Sequence, residues 1–168
     1  MPGLLSATLG EITDCVGAID PSSPLAQHTG AMAQVARNAA AQRPSLDVGC
    51  RAFLAELMEQ FGGLAWEVVI AIHLDAGKRE ILREKIADGS LDEASLRGRA
   101  LFGRALQLGT ANLVLVHNHP SGSALPSSTD IATTRRIADM AAALDIELVD
   151  HIIASRGEIY SMRRGGHL

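Results

Sequence analysis

The sequence predicts an α/β fold, with a mixed central sheet flanked by helices and a helical extension ahead of it. Three observations lead there. Glu67–Leu74 is an almost unbroken apolar run with β-branched residues, suited to a strand covered on both faces. A second short apolar run, Leu113–Val116, ends in His117 and His119 and is followed by a helical pattern. From residue 67 onward the elements read β-β-α-β-α-β-β, whereas the residues before it show only helical periodicity.

Each element has its own signal. Asp20-Pro21-Ser22-Ser23-Pro24 is a turn-rich break, after which Leu25, Met32, Val35, Ala36, Ala39 and Ala40 recur at helical spacing up to Ala41. Arg43-Pro44 stops that helix, so residues 1–44 read as an N-terminal helical extension and 45–168 as the main domain. A second helix is predicted from Ser45 or Asp47 to Gln60, burying Val48, Phe53, Leu54, Leu57 and Phe61 and closed by Gly62-Gly63. Asp75-Ala76-Gly77-Lys78 reads as a hairpin turn from the Glu67–Leu74 strand into one over Arg79–Ala87. A helix follows over Ser95–Leu108, with Leu101, Ala105 and Leu108 on one face. The remaining elements are a strand over Asn112–His117, a helix over Ser128–Leu144, a strand over Ile146–Ala154 and a last strand over Ile159–Arg163.

The chain has 168 residues, enough for one ordinary domain with a real core, and 47% of them are hydrophobic. A formal charge of −4 and only 3% aromatic residues argue against broad nucleic-acid binding, which needs phosphate-neutralising cations or stacking platforms. Cys15 and Cys50 fit neither a metal-binding pair nor a disulfide framework, and read as small buried or half-buried residues. No secretory signal and no span long enough for a bilayer is visible, so the expected location is cytoplasmic and no membrane partner is expected.

The chemistry concentrates in His117-Asn118-His119-Pro120-Ser121-Gly122 and Pro126-Ser127-Ser128-Thr129-Asp130. Residues i and i+2 of a strand share a face, so His117 and His119 can aim both imidazoles at one point. Asp130 returns with a carboxylate oxygen. Two nitrogens and one oxygen with room for water describe a catalytic Zn2+ site, since a structural site is normally closed by four protein ligands. Such a site needs a general base, and Glu67, at the start of the first strand, is the candidate. Ser127 can donate to the oxyanion formed as water attacks. Each residue also has a plain alternative: Ser127-x-x-Asp130 is a capping-box pattern, and Glu67 alone is a strand-entry residue. His73 reads as a satisfied core histidine. Asp150-His151 reads either as a support for the metal ligands or as a sheet-edge hydrogen bond.

Residues from about 45 to 168 resemble the RadC family, a bacterial branch of the JAMM (JAB/MPN) metalloproteases. The residues that carry the resemblance are Glu67, Gly89-Ser90-Leu91, Arg99, Ala105-Leu106, the block from His117 to Gly122, Pro126-Ser127, Asp130, Val149–Ile153 and Tyr160-Ser161. It implies a cytidine-deaminase-like three-layer α/β fold. It also implies zinc on His117, His119 and Asp130, Glu67 as acid/base and Ser127 as oxyanion donor. The activity implied is cleavage of a peptide or isopeptide bond in a protein or peptide substrate, with ubiquitin-like tails as the relatives' substrates. No Gly-rich DNA-binding hairpin of the family stands in residues 1–44. A DNA-repair-associated protein or nuclease and a non-catalytic interaction module are the rival readings, and the N-terminal helix could support a homodimer.

Overall fold

The computed structural model describes residues 42–88 and 98–168. The expected helix over Leu25–Ala41 lies outside the described residues, as do Cys15 and residues 95–97 at the start of the helix expected from Ser95. Eight elements follow in order: α1 (Arg51–Phe61), β1 (Val68–Leu74), β2 (Glu80–Asp88), α2 (Gly98–Leu108), β3 (Asn112–Asn118), α3 (Ser128–Ala142), β4 (Glu147–Ala154) and β5 (Ile159–Ser161). The strands form one mixed sheet in the order β2-β1-β3-β4-β5. Only the β3–β4 pair is parallel; the other three are antiparallel.

Alternation along the strands sorts the core into two sides. Ile70 and Ile72 of β1, Val114 and Val116 of β3 and Ile152 of β4 pack with Phe53 and Leu57 of α1. Ala71 of β1, Leu113 and Leu115 of β3 and Leu148 of β4 pack with Leu101, Phe102 and Ala105 of α2 and with Ile137 and Ala141 of α3. The result is the three-layer arrangement expected: α1 below the sheet, α2 and α3 above it. All seven residues of β1 and all seven of β3 are buried, which explains their continuous apolar runs.

Two boundaries shift from the sequence reading for reasons visible in the structure. The helix expected from Ser45 or Asp47 begins at Arg51, because Asp47 is spent in a turn: its side chain accepts from the Gly49 N–H (2.9 Å) and its carbonyl from the Cys50 N–H (3.0 Å). Cys50 then caps the helix, its sulfur accepting from the Phe53 N–H at 3.4 Å. The last strand stops at Ser161, where a turn closes with Gly165 N–H donating to the Ser161 carbonyl. Gly62 ends α1 where the chain passes the backbone of Ser155, and a Cβ there would meet the Ser155 carbonyl oxygen at 2.5 Å.

One irregularity in β4 sets up the site. The β3–β4 register moves from Leu113↔Leu148 to Val114↔Asp150, skipping Val149. Such a bulge re-aims the residues beyond it. Asp150 and Ile152 consequently fall on the α1 side, and His151 falls on the α3 side. Arg163 occupies the outer edge here, its guanidinium donating to the carbonyls of Leu148 (2.7 Å) and Val149. Among the described residues, no helix is long and apolar enough to cross a membrane.

Leu57 is fully buried between α1 and the sheet. Leu57→Ala is expected to cost about 3 kcal/mol, transfer and cavity terms together, read as a lower denaturant midpoint with an unchanged slope.

Candidate metal centre

Strand β3 carries Leu113, Leu115 and His117 on the α2/α3 side, and His119 follows just past its end. The turn after it closes with Gly122 N–H donating to the His119 carbonyl at 3.2 Å, and Gly122 takes φ +92°, a conformation open to glycine at little cost. That turn returns the Ser123 carbonyl to the His119 ring, which it meets at Nδ1 (2.9 Å). Ala124 is buried among Ile153 and Met162 and holds the loop down.

Asp130 arrives on the first turn of α3. Ser127 is the N-cap, and a complete capping box forms. The Ser127 N–H and hydroxyl both donate to Asp130 Oδ2 (2.7 and 2.6 Å), and the Asp130 N–H donates to Ser127 Oγ (3.1 Å). Capping and convergence on the histidines are therefore compatible: one carboxylate does both. Asp130 Oδ1 lies 3.4 Å from His117 Nε2, and Oδ2 lies 3.4 Å from His119 Nε2. One ligand atom from each of His117, His119 and Asp130 falls within 4.8 Å of the others.

The proton inventory of this cluster can be worked out from its hydrogen bonds. Thr134 Oγ1 has one proton and donates it to the Asp130 carbonyl at 2.5 Å. Towards His151 Nδ1, 2.6 Å away, it can therefore only accept, so His151 carries its proton on Nδ1. His151 is fully buried, and that desolvation, with the neighbouring His117 and His119, pushes its pKa well below the usual histidine value. Neutral and protonated at Nδ1, it offers a bare Nε2, which accepts from His117 Nδ1–H at 2.8 Å. Burial likewise lowers His117 to about 4, against the pull of Asp130, so its Nε2 is bare as well. His119 spends its Nδ1 proton on the Ser123 carbonyl.

The Nε2 atoms of His117 and His119 face each other at 2.8 Å, with carboxylate oxygens beside both. With bare nitrogens at both positions the two rings would repel. A cation relieves them, and the set of two imidazole nitrogens and one carboxylate oxygen suits zinc, with the His119 side the more open. The donor chemistry fits a metal ion.

Glu67 stands immediately before β1 and is half-buried. Val69 pairs with His117 at the end of the β1–β3 ladder, so Glu67, two residues earlier, enters β1 at the histidine end of β3. Among the described residues its carboxylate makes no hydrogen bond or ion pair. The Asp150-His151 pair is split by the bulge. His151 supports His117, whereas Asp150 faces the α1 side and accepts from Ser161 Oγ (2.5 Å) and the Arg163 N–H (3.1 Å). His73 is a buried bridge between Thr110 and Glu84 (both 3.0 Å) near the other end of β1. Thr134 was invisible in the sequence reading; its signal is its place one helical turn after Asp130.

The sequence profile described as RadC-like JAB domain matches residues 49–167. The chain belongs to the RadC-like JAB domain family. Curated relatives of this RadC-like domain include a UPF0758 protein of Paraburkholderia xenovorans, 36% identical over 107 residues, covering 64% of this chain and 42% of the relative. A UPF0758 protein of Finegoldia magna is 37% identical over 106 residues, 63% of this chain and 48% of its own length. One of Bordetella pertussis is 40% identical over 102 residues, 61% and 45% respectively. The chain thus spans less than half the length of these relatives. The family and the five-stranded mixed sheet agree with a JAB/MPN-type fold.

Two outcomes follow from the proton inventory. Thr134→Val removes the acceptor that fixes the His151 tautomer and is expected to weaken zinc affinity roughly tenfold or more, measured by competition with a chromophoric chelator. His117, His151 and His73 all have folded-state pKa values below the unfolded 6.5. The unfolded chain therefore binds more protons, and stability of the metal-free protein falls as pH drops below 6.5 towards about 4, the His117 value. Urea midpoints between pH 7.5 and 5 check this; a flat profile contradicts it.

Proposed function

We propose that this chain is a zinc-dependent hydrolase that cleaves a peptide or isopeptide bond. The observation that supports it is the convergence of two imidazole nitrogens and one carboxylate oxygen, with the Glu67 carboxylate at the neighbouring strand end. In this reading His117, His119 and Asp130 hold the metal. Zinc bound there supplies a Lewis acid that polarises a carbonyl and lowers the pKa of water towards about 7.

The chain's own residues then have distinct tasks. Glu67 takes the proton of the attacking water and passes it to the departing amine, a role open to a carboxylate without a partner among the described residues. Ser127 donates to the developing oxyanion. To do so its hydroxyl turns from Asp130 Oδ2 towards the reacting carbonyl, while Oγ continues to accept from the Asp130 N–H. His151 and Thr134 keep His117 in the ligating tautomer throughout. The substrate proposed is a protein or peptide, ubiquitin-like tails included.

Elemental analysis of the purified protein is expected to find about one zinc per chain. His119→Ala should lose both the metal and hydrolysis of an internally quenched peptide library and of lysine isopeptide conjugates. Glu67→Gln should keep the zinc and lose turnover by at least about 100-fold. Zinc absent from wild type after zinc is supplied, or cleavage of a labelled DNA duplex in place of peptides, overturns the reading.

A further inference from the structure

Asn118 lies between the two histidines, and alternation turns its side chain away from them. It is 1% exposed. Its carboxamide reaches across to the segment that leads into β1: Oδ1 accepts from the Val68 N–H at 2.8 Å, and Nδ2 donates to the Trp66 carbonyl at 2.9 Å. The amide orientation is unambiguous, because Val68 N–H can only donate and the Trp66 carbonyl can only accept.

Those two groups belong to the peptide units on either side of Glu67. The Trp66 carbonyl is part of the Trp66–Glu67 peptide, and the Val68 N–H is part of the Glu67–Val68 peptide. Each unit is planar, so holding both fixes the direction of the Glu67 Cα–Cβ bond. On its other side, Asn118 pairs with Ala154 of β4, and the His119 N–H donates to the Ala154 carbonyl at 2.9 Å. One rigid amide therefore connects the backbone of Glu67 to the residue between His117 and His119. Asparagine is suited to this: aspartate lacks the donor, and serine reaches only one of the two partners.

We propose that Asn118 is a positioning residue, whose buried carboxamide clamps the backbone on both sides of Glu67 and holds it at the histidine end of β3. The proposal rests on the reading of Glu67 as the acid/base. A plainer role exists, because Val68 is buried and an unpaired N–H there is destabilising in itself. The two roles differ in what else moves. A base misplaced by about 1 Å loses on the order of 100-fold in rate, and that loss disappears when the base is already gone.

The test uses Asn118→Ala, with Asn118→Asp as a second variant that keeps the Val68 acceptor and sets an oxygen against the Trp66 carbonyl. Each is made in the wild-type and Glu67→Gln chains and loaded with zinc, or with cobalt for NMR. Amide exchange at Val68 is expected to quicken about tenfold in Asn118→Ala. Trp66, the one tryptophan of the sequence and 60% exposed, should shift its acrylamide quenching. Cobalt-induced shifts of the Trp66 indole and Glu67 amide should change, while those of α3 stay in place. On a peptide that wild type cleaves, kcat should fall roughly 10- to 100-fold with KM nearly constant. In the Glu67→Gln background, Asn118→Ala should add no further loss. Unchanged Val68 exchange, loss of metal from the Asn118 variants, or equal losses in both backgrounds overturns the proposal. A wild type that binds no zinc or cobalt overturns the hydrolase reading instead, and Val68 exchange and Trp66 quenching still decide whether the clamp exists.

Discussion

The candidate centre depends on where one hydroxyl proton goes. Thr134 gives its proton to the carbonyl of Asp130, one helical turn back, and from that single commitment the state of two histidines follows. Had Thr134 donated to His151, the chain of bonds would run the other way and His117 would present an N–H to the cluster. Burial completes the argument, because it keeps both rings neutral and removes the alternative of charging one of them. The fold's task is to bring α3, β3 and β4 together closely enough for a threonine, two histidines and a carboxylate to exchange these bonds.

Several residues serve the fold and the site with the same atoms. Asp130 caps α3 with Oδ2 while Oδ1 turns to His117. Asn118 completes the β1–β3 pairing with a side chain where the backbone ladder stops. Shared use of this kind makes the centre stiff, since displacing a ligand also uncaps a helix or unpairs a strand. The same economy explains why isolated motifs read ambiguously: Ser127-x-x-Asp130 is a capping box, and describing it as one leaves its second role unmentioned.

Much of this was legible before any coordinates. The apolar runs at 67–74 and 113–116 and the helix after Ser127 place the layers, and the His-x-His spacing points to the cluster that His117, His119 and Asp130 form. Long-range bonds were not legible. Thr134 and His151 lie seventeen residues apart in sequence, and nothing local marks them as partners. Strict alternation also fails at Val149, where the bulge decides that His151, and not Asp150, faces the histidines. The start of α1 moved because Asp47 closed its own turn before a helix could begin.

That bulge also makes the two margins of the sheet chemically unequal. β5 is only three residues long, so among the described residues most of β4 lacks a neighbouring strand on that side. The Arg163 guanidinium occupies the carbonyls of Leu148 and Val149 in its place. A foreign strand seeking backbone acceptors there finds them taken, by a charged group that resists burial. Among the described residues β2 forms the opposite margin, where the charged run Arg83-Glu84-Lys85 takes the part that one guanidinium plays beside β4.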